Sequence, residues 1–274
     1  MKVSEATEVF YEVTEGVVTG SSISQMPAAF ADRLYLVNAS GIPAFRPAYD
    51  ALTQMGFYSI NPDSIRDFQL PGSSGLLARD GNNITSVLRR IEADGTGGKQ
   101  RIEEYLGAAV AGVTDIGVKS FGPKETINFH QKMSSDAKSV QFLASSMSDG
   151  TLRALGNLIA MFQTINGNSR RPSLIGIEEP ETALHPAASG VLLDALREAS
   201  QTTQVIVTSH SPDLLDNDEI PQEQILAVEL QNGATQINHI DEGSRTLLQD
   251  HLTTPGELLR LNQLQPEPME AKPG

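Results

Sequence analysis

The stretch LIGIEEPETALHP, residues 174–186, decides how the rest of this chain is read. Leu174 to Ile177 form a short, wholly apolar run, as expected for a strand covered on both faces of a sheet. A helix is predicted to start at Pro186, a residue favoured in a first helical turn, and to present Ala188, Val191, Leu192, Ala195 and Leu196 inward. Gln204 to Val207 repeats the buried-strand pattern. Strand, helix, strand over this length is a βαβ unit, whose strands run parallel and whose crossover is right-handed in nearly all cases. The expected frame is an α/β fold with a parallel sheet core.

In such sheets ligands sit at the carboxyl ends of the strands. The first strand delivers Glu178 and Glu179 at its tip, with Glu181 and His185 just beyond. The second, VIVTSHSPDLL at residues 205–215, delivers Thr208, Ser209 and His210. On neighbouring strands, two carboxylates and an imidazole would converge on one small volume. Carboxylates suit Mg²⁺, a second carboxylate can deprotonate water, and a histidine can bond a phosphate in transfer.

A third element, MSDGTLR at residues 147–153, opens a helix with Leu152, Leu155, Ile159 and Phe162 along one face. Ser148 suits its cap, and the free N–H groups of the first turn make an anion site that Gly150 lets a ligand approach. The charge of Asp149 opposes a phosphate there. Plainer readings stand beside these: a solvated acidic pair, a capping or hydrogen-bonded His210, and His185 as a loop residue before a helix. His130, His239 and His251 have no companions and read as structural or exposed.

Ser148-Asp149-Gly150-Thr151, then IGIEEPETALHP, then VIVTSHSPDLL together resemble the C-terminal half of an ABC-type ATPase of the RecF/SMC/OLD-like group, the AAA-domain ATPases. The close resemblance covers about Phe142 to Ile240, and a looser one reaches back to about Leu34. It implies a P-loop NTPase fold in which Ser148 to Thr151 stand at the signature, Glu178 at the Walker B metal acid and Glu179 at the catalytic glutamate. Ala183 to Pro186 would be the D-loop and His210 the switch histidine. ATP and Mg²⁺ would lie between two protomers, in a homodimer or with a partner chain bearing a Walker A loop. Relatives serve DNA repair, chromosome maintenance and phage defence. The string GxxxxGK[ST] does not occur in this sequence. Gly97-Gly98-Lys99-Gln100 is a decoy, with Ala93 and Gln100 at the wrong places. The resemblance thus implies a member without its first lobe, whether a truncated product, a gene fragment or half of a split enzyme. Two other classes remain open: a non-hydrolysing regulatory partner of another ATPase, and a metal-dependent nuclease using Glu178, Glu179, Glu181 and His185.

The remaining chain sets bounds. With 20 Lys+Arg against 34 Asp+Glu, 20 − 34 gives −14, which argues against a broad grip on nucleic acid except through partners or a local patch. No cysteine is present, which excludes disulfides and thiolate chemistry and fits a cytoplasmic protein. MKVSEATEVFYEVTEGVVTG interleaves Glu with apolar residues, unlike a signal peptide, and no segment is apolar enough to cross a bilayer. Residues 1–140 are expected to be an α+β accessory region. It would hold a hairpin about Glu15-Gly16, a strand at Leu34 to Val37, and a short helix between Pro43 and Gln69. Two amphipathic helices about Ile84–Ile91 and Ile102–Ala109 would follow, then a hairpin about Gly122-Pro123. The ATPase lobe would run over 141–262, with Asn232-Gly233 turning an antiparallel edge hairpin and helices around Leu247 and Leu258. Residues 263–274 read as a disordered tail.

Overall fold

The computed structural model describes residues 9–72, 75–133, 138–164, 171–185, 188–217, 220–231 and 233–268. The chain divides into two compact units, Met1–Met55 and Gly56–Gly274. In the first, β1 (Tyr11–Thr14) and β2 (Val17–Ser21) pair antiparallel about Glu15-Gly16, as expected, and α1 (Tyr35–Ala39) and α2 (Arg46–Thr53) follow. The strand expected at Leu34 to Val37 is therefore helix. Tyr35 and Ala39, one turn apart, are buried beside Phe45, and the Tyr35 hydroxyl donates to the Pro27 carbonyl at 2.6 Å. Burying that i, i+4 pair outweighs a β preference whose whole scale spans only about 1 kcal/mol.

β3 (Met55–Tyr58) leads into the second unit, followed by α3 (Pro62–Arg66), α4 (Ile84–Asp94) and α5 (Gly98–Ala109). The two longer helices lie where the periodicity predicts and bury Ile84, Val87, Leu88 and Ile91, then Ile102 and Leu106. β4 (Val113–Phe121) and β5 (Lys124–Gln131) form the expected hairpin, and β6 (Val140–Leu143) widens it to three antiparallel strands. α6 (Asp149–Phe162) is buried at every residue except Asp149 and Arg153, far beyond the single apolar stripe expected. A helix apolar on all sides belongs at the centre of a core. It packs on α3, α4, α5 and on the strand and helix that come next.

Those are β7 (Leu174–Glu178) and α7 (Ser189–Ser200), which with β8 (Gln204–Thr208) complete the βαβ unit. β7 and β8 are parallel, with Ile175 opposite Val205 and Glu178 opposite Thr208, and the sheet order is β3-β7-β8. β7 is buried from Leu174 to Ile177; a Cβ at Gly176 would fall 2.6 Å from the Phe57 ring, so only glycine fits under that side chain. β8, expected to be buried, is an edge strand whose Gln204, Ile206 and Thr208 are exposed while Val205 and Val207 turn toward the core. The helix start expected at Pro186 lies outside the described residues.

α8 (Pro212–Leu215), β9 (Leu226–Gln231), β10 (Ala234–His239), α9 (Glu242–Gln249) and α10 (Pro255–Arg260) complete the order. β9 and β10 pair as expected, although Asn232 of the turn lies outside the described residues. They form a two-stranded sheet of their own among the described residues, not an edge added to the parallel sheet. One of their faces lies over a small cluster of Ile225, Ile240, Leu248 and Leu258, with Leu264 packed against it. The start of the expected tail is thus ordered. The Asp241 N–H donates to the Gln265 carbonyl at 3.1 Å and the Glu267 N–H to the His239 carbonyl at 2.8 Å, while 269–274 lie outside the described residues. Compact units separate after Met55 rather than near residue 140, and the main core of the second runs across that position from Tyr58 to Ala199. Among the described residues no helix is long and apolar enough to cross a membrane.

Candidate functional site

The acidic pair emerges where β7 ends. The Glu179 N–H donates to the Thr208 carbonyl at 2.9 Å, carrying the pairing with β8 one residue past the strand. The backbone then turns left-handed, with φ of +42 at Glu179 and +64 at Ala183. Each such residue costs about 1–2 kcal/mol, and Glu179 is further restricted because it precedes Pro180. Local bonds hold the shape. Thr182 N–H donates to the Glu179 carbonyl at 3.0 Å and Leu184 N–H to the Glu181 carbonyl at 3.0 Å. From α6, the buried Asn157 amide donates to the Pro180 carbonyl at 3.1 Å.

His210, two residues beyond β8, places Nε2 4.0 Å from Oε1 of Glu179; its side chain is 85% exposed and that of Glu179 48%. That gap exceeds a direct hydrogen bond and suits one bridging water. The other Glu179 oxygen accepts from Thr182 Oγ1 at 3.1 Å. Glu178 points elsewhere: Oε1 takes a 2.9 Å bond from Arg79 Nη2, both side chains being more than half exposed. Glu181 turns between the strand tips, where Ser209 Oγ donates to its Oε1 at 2.5 Å and accepts the Ser211 N–H at 3.0 Å. The set Glu178, Glu179, Glu181 and His185 is not gathered into a metal centre. Among the described residues no group of three or more His, Asp or Glu side chains could hold a metal ion.

Ser148 caps α6 as its sequence predicts: Oγ accepts the Thr151 N–H at 3.2 Å and lies 2.8 Å from Thr151 Oγ1. Asp149 is paired with Arg66, which also bonds Asp63 at 2.7 Å and the Met147 carbonyl at 3.2 Å. The Asp149 carboxylate, then that of Asp63, push the Arg66 guanidinium pKa up. The negative charge expected to oppose an anion at this helix start is thereby neutralised. Gly150 stands against the acidic loop, since a Cβ there would overlap the Ala183 carbonyl oxygen. The signature-like turn and the loop after Glu179 are therefore in backbone contact.

Arg79, Arg66 and Asn157 carry no local motif, and each acts on a residue at least 23 positions away. Lys99 of the decoy string bonds Glu92 at 3.0 Å and lies 3.5 Å from Glu103, so its charge serves α5 and its neighbours.

Two carboxylates at a parallel strand tip, an exposed imidazole facing one of them, and a capped helix start against the same loop fit the metal and water side of an ATP–Mg²⁺ site. Their hard oxygen donors match Mg²⁺, which takes one or two carboxylates and fills its shell with water and phosphate. Such a lobe is that of an ABC/SMC-like AAA ATPase. The chain belongs to the family described as "AAA domain, putative AbiEii toxin, Type IV TA system", whose model matches residues 63–216. Solved structures share the fold at low identity. One, from work on ATP-driven dimerization and DNA-stimulated activation of SMC ATPases, is 16% identical with a TM-score of 0.41, over 61% of this chain and 95% of that one. An SMC head bound to the C-terminal winged-helix domain of ScpA is 12% identical with a TM-score of 0.45, over 70% of this chain and 57% of that one. The Smc head of Pyrococcus yayanosii with its coiled coil and joint is 16% identical with a TM-score of 0.38, over 57% of this chain and 29% of that one. No curated protein sequence matches the chain.

Proposed function

We propose that this chain supplies the acidic, water-activating side of an ATP site that is completed at a protomer interface by a segment bearing a phosphate-binding loop. The observation that carries the reading is the placement of Glu179 and His210 on adjoining parallel strands, 4.0 Å apart and both open to solvent. Glu179 is the general base: Thr182 holds one of its oxygens, leaving the other free to take a proton from water. His210 donates a hydrogen bond to the group in transfer and orients that water. Glu178 would hold Mg²⁺, which when bound neutralises phosphate charge. Arg79, now on Glu178, keeps that carboxylate ionised until a metal takes its place. Ser148 to Thr151 present N–H groups, with Asp149 neutralised by Arg66, to the phosphates held by the other protomer.

The reading assigns ATP hydrolysis in the cytoplasm, in repair, chromosome maintenance or phage defence, and DNA contact only through partners. In the assembled enzyme Glu179→Gln should lower turnover roughly 100-fold or more, the scale of general-base catalysis, while leaving nucleotide binding intact. Unchanged hydrolysis in that variant would remove Glu179 from the mechanism.

A further inference from the structure

Across β9 and β10, Leu226 stands opposite His239, Val228 opposite Ile237 and Leu230 opposite Thr235. Opposed residues share a face of a strand pair, so these six lie on one side and Ala227, Glu229, Gln236 and Asn238 on the other. The side turned toward the molecule is the polar one, with Ala227 buried and Glu229, Gln236 and Asn238 half-buried. The side turned to solvent carries Leu226, Val228 at 61% exposure, Leu230 at 72% and Ile237. Register normally sends the apolar set inward. Its inversion here marks the outer face as one that is itself covered in the assembled protein. A lone two-stranded hairpin is marginal in water and gains from a further layer.

We propose that this face binds the same face of a second copy of the chain, the two hairpins packing as sheets about a two-fold axis. Charge selects that occupant. The chain carries −14, so two copies repel wherever their acidic surfaces meet. A two-fold axis brings one patch against its own equivalent, which punishes any formal charge near the axis. Leu226, Val228, Leu230, Thr235, Ile237 and His239 include no Asp, Glu, Lys or Arg. A basic partner drawn by the acidic field would seek carboxylates, and this face offers none. An anionic lipid surface repels a chain of this charge. The contact requires no nucleotide and stands apart from the ATP reading, since the hairpin and the β7–β8 strand tips belong to different sheets.

Sedimentation velocity of the full chain in EDTA without nucleotide tests it. Wild type should reach twice the 29.4 kDa chain mass. Val228→Glu and Val228→Lys should each be monomeric with unchanged circular dichroism, and mixing them should restore a dimer through opposed charges. Glu179→Gln should dimerise like wild type, so a failure of the ATP reading leaves this result untouched. A wild-type monomer at every concentration, or a Val228→Glu chain that dimerises as well as wild type, would overturn the proposal. If both Val228 variants lose their fold, Val228→Thr serves instead, with a dissociation constant raised about tenfold expected and an unchanged one decisive against.

Discussion

Glu179 occupies left-handed backbone immediately before a proline, with φ of +42. Removing its carboxylate by Ala keeps that strain, whereas Gly releases it at the cost of extra freedom in the unfolded chain. Glu179→Gly should accordingly be about 0.5–1 kcal/mol more stable than Glu179→Ala in urea unfolding. The reverse order would mean that the loop relaxes without its glutamate. Gly150→Ala should cost about 1–3 kcal/mol, because the new methyl meets the Ala183 carbonyl and neither backbone has room to retreat. At this scale the site's reactive side chains were legible, since Glu178, Glu179 and His210 sit in short strings at strand ends. Their supporting residues were not. Arg79 reaches Glu178 across 99 positions and Arg66 reaches Asp149 across 83, distances at which no local pattern forms.

Elements were readable where periodicity and caps agree, and misread where tertiary position decides. α4, α5 and the Ser148 cap follow directly from spacing and cap chemistry. The strand expected at Leu34 to Val37 failed because a local β preference is weaker than packing against Phe45. β8 failed differently: an apolar run shows that a strand exists, not whether a neighbour covers its far side. The cap of α9 gives a test with a definite pH sign. Burial pushes the Asp241 carboxyl up, but hydrogen bonds from Ser244 and from nearby backbone outweigh it and leave the pKa below the usual value. A lowered folded pKa stabilises above about 3.9, and that contribution is lost as pH falls through the folded value. Asp241→Asn keeps a capping oxygen but cannot protonate. Its urea midpoint should therefore drop less than that of wild type between neutral pH and pH ~3, by about 0.3–1 kcal/mol, the worth of a charge at a helix start.

For the whole molecule, the −14 charge opposes a phosphate backbone, and no basic string in the sequence offsets it. Fluorescence anisotropy with labelled duplex DNA should show no saturable binding by the isolated chain at about 0.15 M salt. Tight, salt-sensitive binding would expose a cationic patch that the charge count conceals. One further property of the assembly is already written into the meeting of Gly150 with Ala183. The carbonyl that fills the space beside that glycine makes the start of the long central helix and the loop of the general base a single stiff piece. A touch from a neighbouring subunit on Ser148 would thus be felt at Glu179 at once, as a finger on one arm of a lever moves the other.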